Sequence, residues 1–209
     1  MTRCGIFAVA AGLCLGAAGV SQAAVIFEQL PDYRNGYFSD SSGNFSWQRM
    51  AENFTLGTSS SVGAVGAWGI YYTNNIKSDN FTVYIYADGG NLPGTLLYSG
   101  AAASANSVDT GVDAFGCRVY ESTVTLATPF NATAGTQYWV SLDNRTGLGS
   151  DWAWITTSAF DGIGAYTLDQ GGSWNGLGDS ESLRLYDVPA PSSLALLGLG
   201  GLIAGRRRR

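Results

Sequence analysis

The chain of 209 residues carries sixteen acidic and eleven basic side chains, three cysteines, twenty-nine glycines and no histidine. Without histidine there is no Ser–His or Cys–His nucleophile pair and no histidine-ligated zinc, copper or iron. All sixteen carboxylates lie between residues 24 and 187 beside six basic residues, a balance of −10 that repels nucleic acid and anionic lipid, while four arginines close the chain.

The first segment has a basic start at Arg3, an apolar stretch from Gly5 to Val20 and the small-residue run Ser21-Gln22-Ala23-Ala24. That order is the layout of a secretory signal peptide. Cleavage is expected after Ala23, with Ala24 the near alternative. The apolar stretch falls short of the ~20 residues a membrane span needs. The chain therefore divides into a signal peptide (1–23), one domain (24–187) and a tail (188–209). Cys4 and Cys14 leave with the signal, so Cys117 has no partner for an internal disulfide and reads as a small buried hydrophobe.

Within the domain the predicted elements are strands. "RMAENFTL" and "VGAVGAWGIYY" come first. In "NFTVYIYADGGNLPGTLLYSG" the residues Phe81, Val83, Ile85 and Ala87 share one face, and Thr82, Tyr84 and Tyr86 the other. Asp88 to Asn91 breaks that strand, and Pro93-Gly94 is expected to turn before an extended stretch resumes at Thr95. "RVYESTVTL" follows, then "TQYWVSLDN", with Tyr138, Val140 and Leu142 opposite Trp139, Ser141 and Asp143. "DWAWIT", "IGAYTL" and "ESLRLYDV" complete the set, and no stretch shows a capped 3.6-residue apolar period. Eight to ten short strands with Gly/Asn/Asp turns predict an all-β fold, a single antiparallel β-sandwich of jelly-roll type.

Candidate chemistry is sparse. A paired-carboxylate glycosidase needs only Asp or Glu and is the one enzyme class the composition leaves open; the chain otherwise reads as no enzyme. No cofactor is implied. Calcium is the one metal that suits an oxygen-rich composition, and "DNRTGLGSD" (143–151) and "SDSSGN" (39–44) are acidic, glycine-bearing loops, although neither has the spaced ligands of a calcium loop and both read as turns. Trp152 and Trp154 alternate onto one face of their strand and Trp139 lies opposite the core face of its own, so these three are the candidates for stacking on a sugar ring; the competing reading makes them core.

The chain ends "VPAPSSLALLGLGGLIAGRRRR". Its apolar run of fourteen residues reaches about 21 Å as a helix, short of the ~30 Å hydrocarbon core, and four glycines weaken it further. This ending resembles the PEP-CTERM sorting signal of Gram-negative, biofilm-forming bacteria. Val188, Pro189 and Pro191 match its Val-Pro-Glu-Pro start, the leucine- and glycine-rich run matches in character, and Arg206, Arg207, Arg208 and Arg209 match the basic end. Ala190 stands in the slot usually held by glutamate. The resemblance implies export, signal peptidase and exosortase as processing partners, transient inner-membrane association through the tail, and display on or release from the outer cell surface, often with extracellular polysaccharide. "AENFTL", "GAWGIYY", "FTVYIYADGGNLPGTLLYSG" and "AGTQYWVSLDN" also occur in that order in bacterial surface β-sandwich domains found ahead of varied anchoring tails, a group that implies no reaction. The expectation is a non-catalytic surface or matrix component associated with exopolysaccharide and biofilm, with a carbohydrate-binding module and a carboxylate glycosidase as alternatives.

Overall fold

Strict two-residue alternation places one side of each strand inward, and the computed structural model shows two antiparallel sheets built on that rule. It describes residues 23–42, 47–72, 76–147, 149–159, 161 and 163–188. Fourteen strands follow in chain order: β1 (Val25–Gln29), β2 (Pro31–Phe38), β3 (Arg49–Thr55), β4 (Ser60–Tyr72), β5 (Phe81–Asp88), β6 (Pro93–Ala101) and β7 (Ser104–Ala114), then β8 (Cys117–Ala132), β9 (Gln137–Asn144), β10 (Asp151–Thr157), β11 (Gly164–Thr167), β12 (Asn175–Leu177), β13 (Ser180–Glu181) and β14 (Leu183–Asp187). There is no helix among the described residues.

In the first sheet β8 joins β7 to the long β4, which carries β14 and β1 along one half and β10 with β2 along the other; β13 extends beside β10. The second sheet runs β12-β11-β3-β9-β5-β6. The chain passes repeatedly between sheets, so most pairing is long-range, as in a jelly roll.

The interior between the sheets collects the inward set of each strand: Met50 and Phe54, Val65 and Tyr71, Phe81, Val83 and Ile85, Val140 and Leu142, Trp152 and Trp154, Leu183 and Leu185. Phe81 meets Trp152 edge to face with ring centroids 5.1 Å apart. Strand β10 is buried along its whole length because β4 and β2 flank it and both its faces are covered. Gly69 makes that possible: a Cβ there would lie 2.3 Å from Nε1 of Trp152, so only glycine lets the indole lie against β4.

Three sequence expectations change. The hairpin after β5 turns at Gly89–Leu92, closed by Gly89 N–H to Leu92 O at 2.8 Å, with Gly90 and Asn91 at positive φ. Pro93-Gly94 therefore opens β6 instead of turning; among the described residues β6 is an edge strand paired with β5, where a proline without an N–H is tolerated. Among the described residues the strands number fourteen rather than eight to ten, and β4 and β8, of thirteen and sixteen residues, are long. β1, β2, β7 and β12 carry no apolar alternation; β7 is an edge strand with most of its side chains exposed, so nothing selects an apolar face there.

Candidate functional site

The residues expected to direct processing divide at the domain border. Ala23 and Val188 are described; Pro189, Ala190, Pro191, Arg206, Arg207, Arg208 and Arg209 lie outside the described residues, as does most of the expected signal peptide. The two borders meet. Ala24 N–H donates to Asp187 Oδ1 at 2.6 Å, Asp187 N–H returns a bond to Ala24 O at 3.0 Å, and Val188 N–H donates to Ser61 O. Pairing of β1 with β14 thus brings the predicted signal cleavage point beside the start of the sorting tail.

The three tryptophans proposed for sugar stacking are corrected by burial. Trp139, Trp152 and Trp154 each have 0% exposure. Trp152 and Trp154 are inter-sheet core, and the Trp154 indole donates to Ser182 O at 2.6 Å. Trp139 faces the other way, as its alternation predicts, but Ala51, Tyr86 and Ala165 cover it and its indole donates to Asp88 at 3.0 Å. None presents a ring face to a ligand.

The two acidic loops converge on each other. Ser41 donates from N and Oγ to Asp143 at 2.8 and 2.6 Å; Thr146 Oγ1 donates to Asp40 at 2.7 Å, and Ser42 N and Oγ donate to the other Asp40 oxygen. Both carboxylates are taken up by donors of the loops themselves, which is how a turn uses an aspartate. Asn44 and Leu148 of these loops lie outside the described residues. Among the described residues no group of three or more Asp, Glu, Cys or His side chains is arranged to hold a metal ion. Cys117 is buried, and burial pushes its thiol up, away from the reactive thiolate.

What the alternation did not single out is a groove of about 540 Å³ across the outer face of the first sheet. Tyr33, Trp68, Val108, Asp109, Glu121 and Arg184 line it, drawn from β2, β4, β7, β8 and β14. Arg184 is the organising residue: it lies over the Trp68 ring at 4.8 Å and ion-pairs with Glu28 at 2.5 Å and with Glu121. Leu183 and Leu185 face the core, so Arg184 between them points outward. Tyr33 and Val108 leave apolar surface open to solvent in the groove. An aromatic ring, apolar walls and a few fixed polar groups suit a ligand with one apolar and one hydroxylated face. Glu121 is committed to its ion pair with Arg184.

Two acids do come together elsewhere. Glu52 and Glu181 are each 0% exposed, and the Glu181 N–H donates to Glu52 Oε2 at 2.8 Å. Burial, with Asp161 nearby, pushes Glu52 up to about 8; burial and the facing Glu52 push Glu181 well above the usual carboxylate range. Sealed between the sheets, neither carboxyl reaches a glycosidic bond.

A family model for the PEP-CTERM protein-sorting motif matches residues 187–209. No curated protein matches the chain.

Proposed function

We propose that this exported chain, addressed by its PEP-CTERM motif to exosortase, is a non-catalytic surface or matrix component whose β-sandwich holds extracellular polysaccharide. The observation that carries the reading is the motif itself at residues 187–209, directly behind the last strand of the domain. A chain so tagged is exported with a C-terminal sorting tail. Removal of that tail after a transient stay in the inner membrane leaves the sandwich on, or shed from, the outer surface of a Gram-negative cell.

Support for a binding rather than a catalytic role comes from the side chains. The sequence holds no histidine, the facing glutamates are sealed in the core, and the groove acid Glu121 is tied to Arg184. The groove supports a sugar ligand through Tyr33 and its hydroxyl and carboxylate rim, Thr110 and Asp109. The domain's balance of −10 favours a neutral polysaccharide over an anionic one.

Mass spectrometry of the exported protein tests the first part: the expected mature chain lacks residues 206–209, and an intact Arg209 overturns processing. Titration of the protein with neutral and anionic polysaccharides tests the second. Saturable binding that Tyr33→Ala weakens supports the groove; no binding to any polysaccharide overturns it.

A further inference from the structure

Glu52 and Glu181 stand where two-residue alternation calls for apolar side chains. Glu52 lies between Met50 and Phe54 on the inward face of β3, and Glu181 precedes Leu183 and Leu185 in the inward set of β13 and β14. Neither exposes any surface. The Glu181 N–H donates to Glu52 Oε2 and the Gln29 and Ser180 side chains also stabilise the Glu52 carboxylate, while Glu52 Oε1 and both Glu181 carboxyl oxygens are buried without a close donor. Gln29 on β1 lies beside Glu52, and its Oε1 is a fourth buried acceptor without a donor.

The surroundings add negative charge. Asp161 acts on Glu52, and Asp32 and Asp179 act on Glu181; Ser180 is the neighbouring hydroxyl, and Tyr37 is committed to Asp179 at 2.5 Å. Arg34 is the basic residue nearby, lining the outer groove with Asp32 and Asp179. Orphaned buried carboxylates are costly unless a proton or a cation compensates them. The donors on offer are two carboxylates and an amide carbonyl, with no nitrogen or sulfur ligand. That set suits a hard cation of calcium type, which takes six to eight oxygens and accepts waters for the remainder. A cleft of about 350 Å³, lined by Phe27, Gln29, Asn53, Ala159 and Asp161, opens at Gln29, next to the two buried glutamates.

We propose that Glu52, Glu181 and Gln29 Oε1 form a calcium site that ties β1, β3 and β13 together across the two sheets. It holds two acidic ligands, fewer than a three-carboxylate cage, and is separate from the Asp40 and Asp143 loops, whose carboxylates already have donors. It is also independent of the polysaccharide groove.

Thermal unfolding of the full chain at pH 8, in chelator and in millimolar calcium, tests it. At calcium about 100 times Kd the midpoint is expected to rise by roughly 5–10 °C. The rise should shrink at pH 5, where protons compete for the carboxylates, and vanish in Glu52→Gln and Glu181→Gln. Terbium added to the wild type gives a second readout that needs no variant, because Trp154, bonded to Ser182 next to Glu181, lies close enough to sensitise its emission. Calcium-competed terbium emission supports the site. No midpoint shift and no emission overturn it, and so does an equal calcium shift in both glutamine variants, which would place the ion elsewhere.

Discussion

Ala24 and Asp187 clasp the two borders of the domain: the Ala24 N–H donates to the Asp187 carboxylate at 2.6 Å, and the Asp187 N–H returns to Ala24 O. Cleavage after Ala23, as the sequence predicts, would turn that amide into an ammonium facing the same carboxylate. An exposed pair of this kind contributes about 0.2–1 kcal/mol. Asp187→Asn is therefore expected to lower the melting midpoint of the cleaved protein slightly at low salt, with the difference fading at high salt. N-terminal sequencing alongside the melts checks it; a mature chain beginning elsewhere, or a salt-independent difference, removes the ion-pair account.

Gly69 and Gly57 make a matched test of core packing. A Cβ at Gly69 would lie 2.3–2.7 Å from three atoms of the Trp152 indole, a ring with no exposed surface and hence no room to retreat. Gly69→Ala is expected to cost about 1–3 kcal/mol as an overpacked core. Nothing lies within 4 Å of a Cβ at Gly57, so Gly57→Ala should be neutral or stabilise by about 0.4–1 kcal/mol through the unfolded chain. Denaturant midpoints of the two variants decide it, and equal effects would contradict the packing seen around Trp152.

The alternation that predicts Phe81, Val83 and Ile85 as core, and Trp139 as facing away from it, is a local rule, and the structure follows it wherever a strand has one buried face. β7 escaped that rule because "SANSVDTGVDA" lies at a sheet edge with most of its side chains in solvent. The groove could not be read at all, since Tyr33, Trp68 and Arg184 are brought together only by strand pairing across distant segments. Glu52 and Glu181 were legible: each occupies an inward position by parity, Met50-x-Glu52-x-Phe54 and Glu181-x-Leu183-x-Leu185. Their meeting, however, depends on β3 and β13 facing across the sandwich. The tail needed no fold, because its signal is the linear order of Pro, apolar run and Arg.

Glu52 gives the molecule a pH dependence of definite sign. Its folded value of about 8 stands above its ordinary 4.5. Between those values the folded state holds a proton that the unfolded chain has released. The Glu52 contribution to stability in chelator therefore falls as pH rises from about 4.5 to 8 and levels beyond. Over that span the loss is on the order of a few kcal/mol. Glu52→Gln should make the profile shallower while keeping the side chain's shape, and the raised Glu181 accounts for the slope that remains. Urea midpoints from pH 5 to 9 provide the check, and a wild-type midpoint constant across the range would contradict a buried, protonated Glu52.

Trp139 and Tyr33 separate packing from binding. The Trp139 indole is sealed under Tyr86, and its N–H is spent on Asp88. Trp139→Phe keeps the ring's apolar contacts, loses that one hydrogen bond and leaves Asp88 free to bond water. The expected loss of stability is about 1 kcal/mol. Polysaccharide affinity should not change, because no face of Trp139 reaches solvent. Tyr33 is partly exposed on the groove wall. Tyr33→Ala should leave the melting midpoint within about 0.5 kcal/mol of wild type, as for a surface position, while weakening polysaccharide binding roughly tenfold through loss of ~1.4 kcal/mol of contact. Paired melting and binding titrations of the two variants show whether the aromatic that matters for a sugar is the buried tryptophan named by alternation or the tyrosine placed by the fold; weaker binding by Trp139→Phe with Tyr33→Ala unchanged would return the ligand to the second sheet.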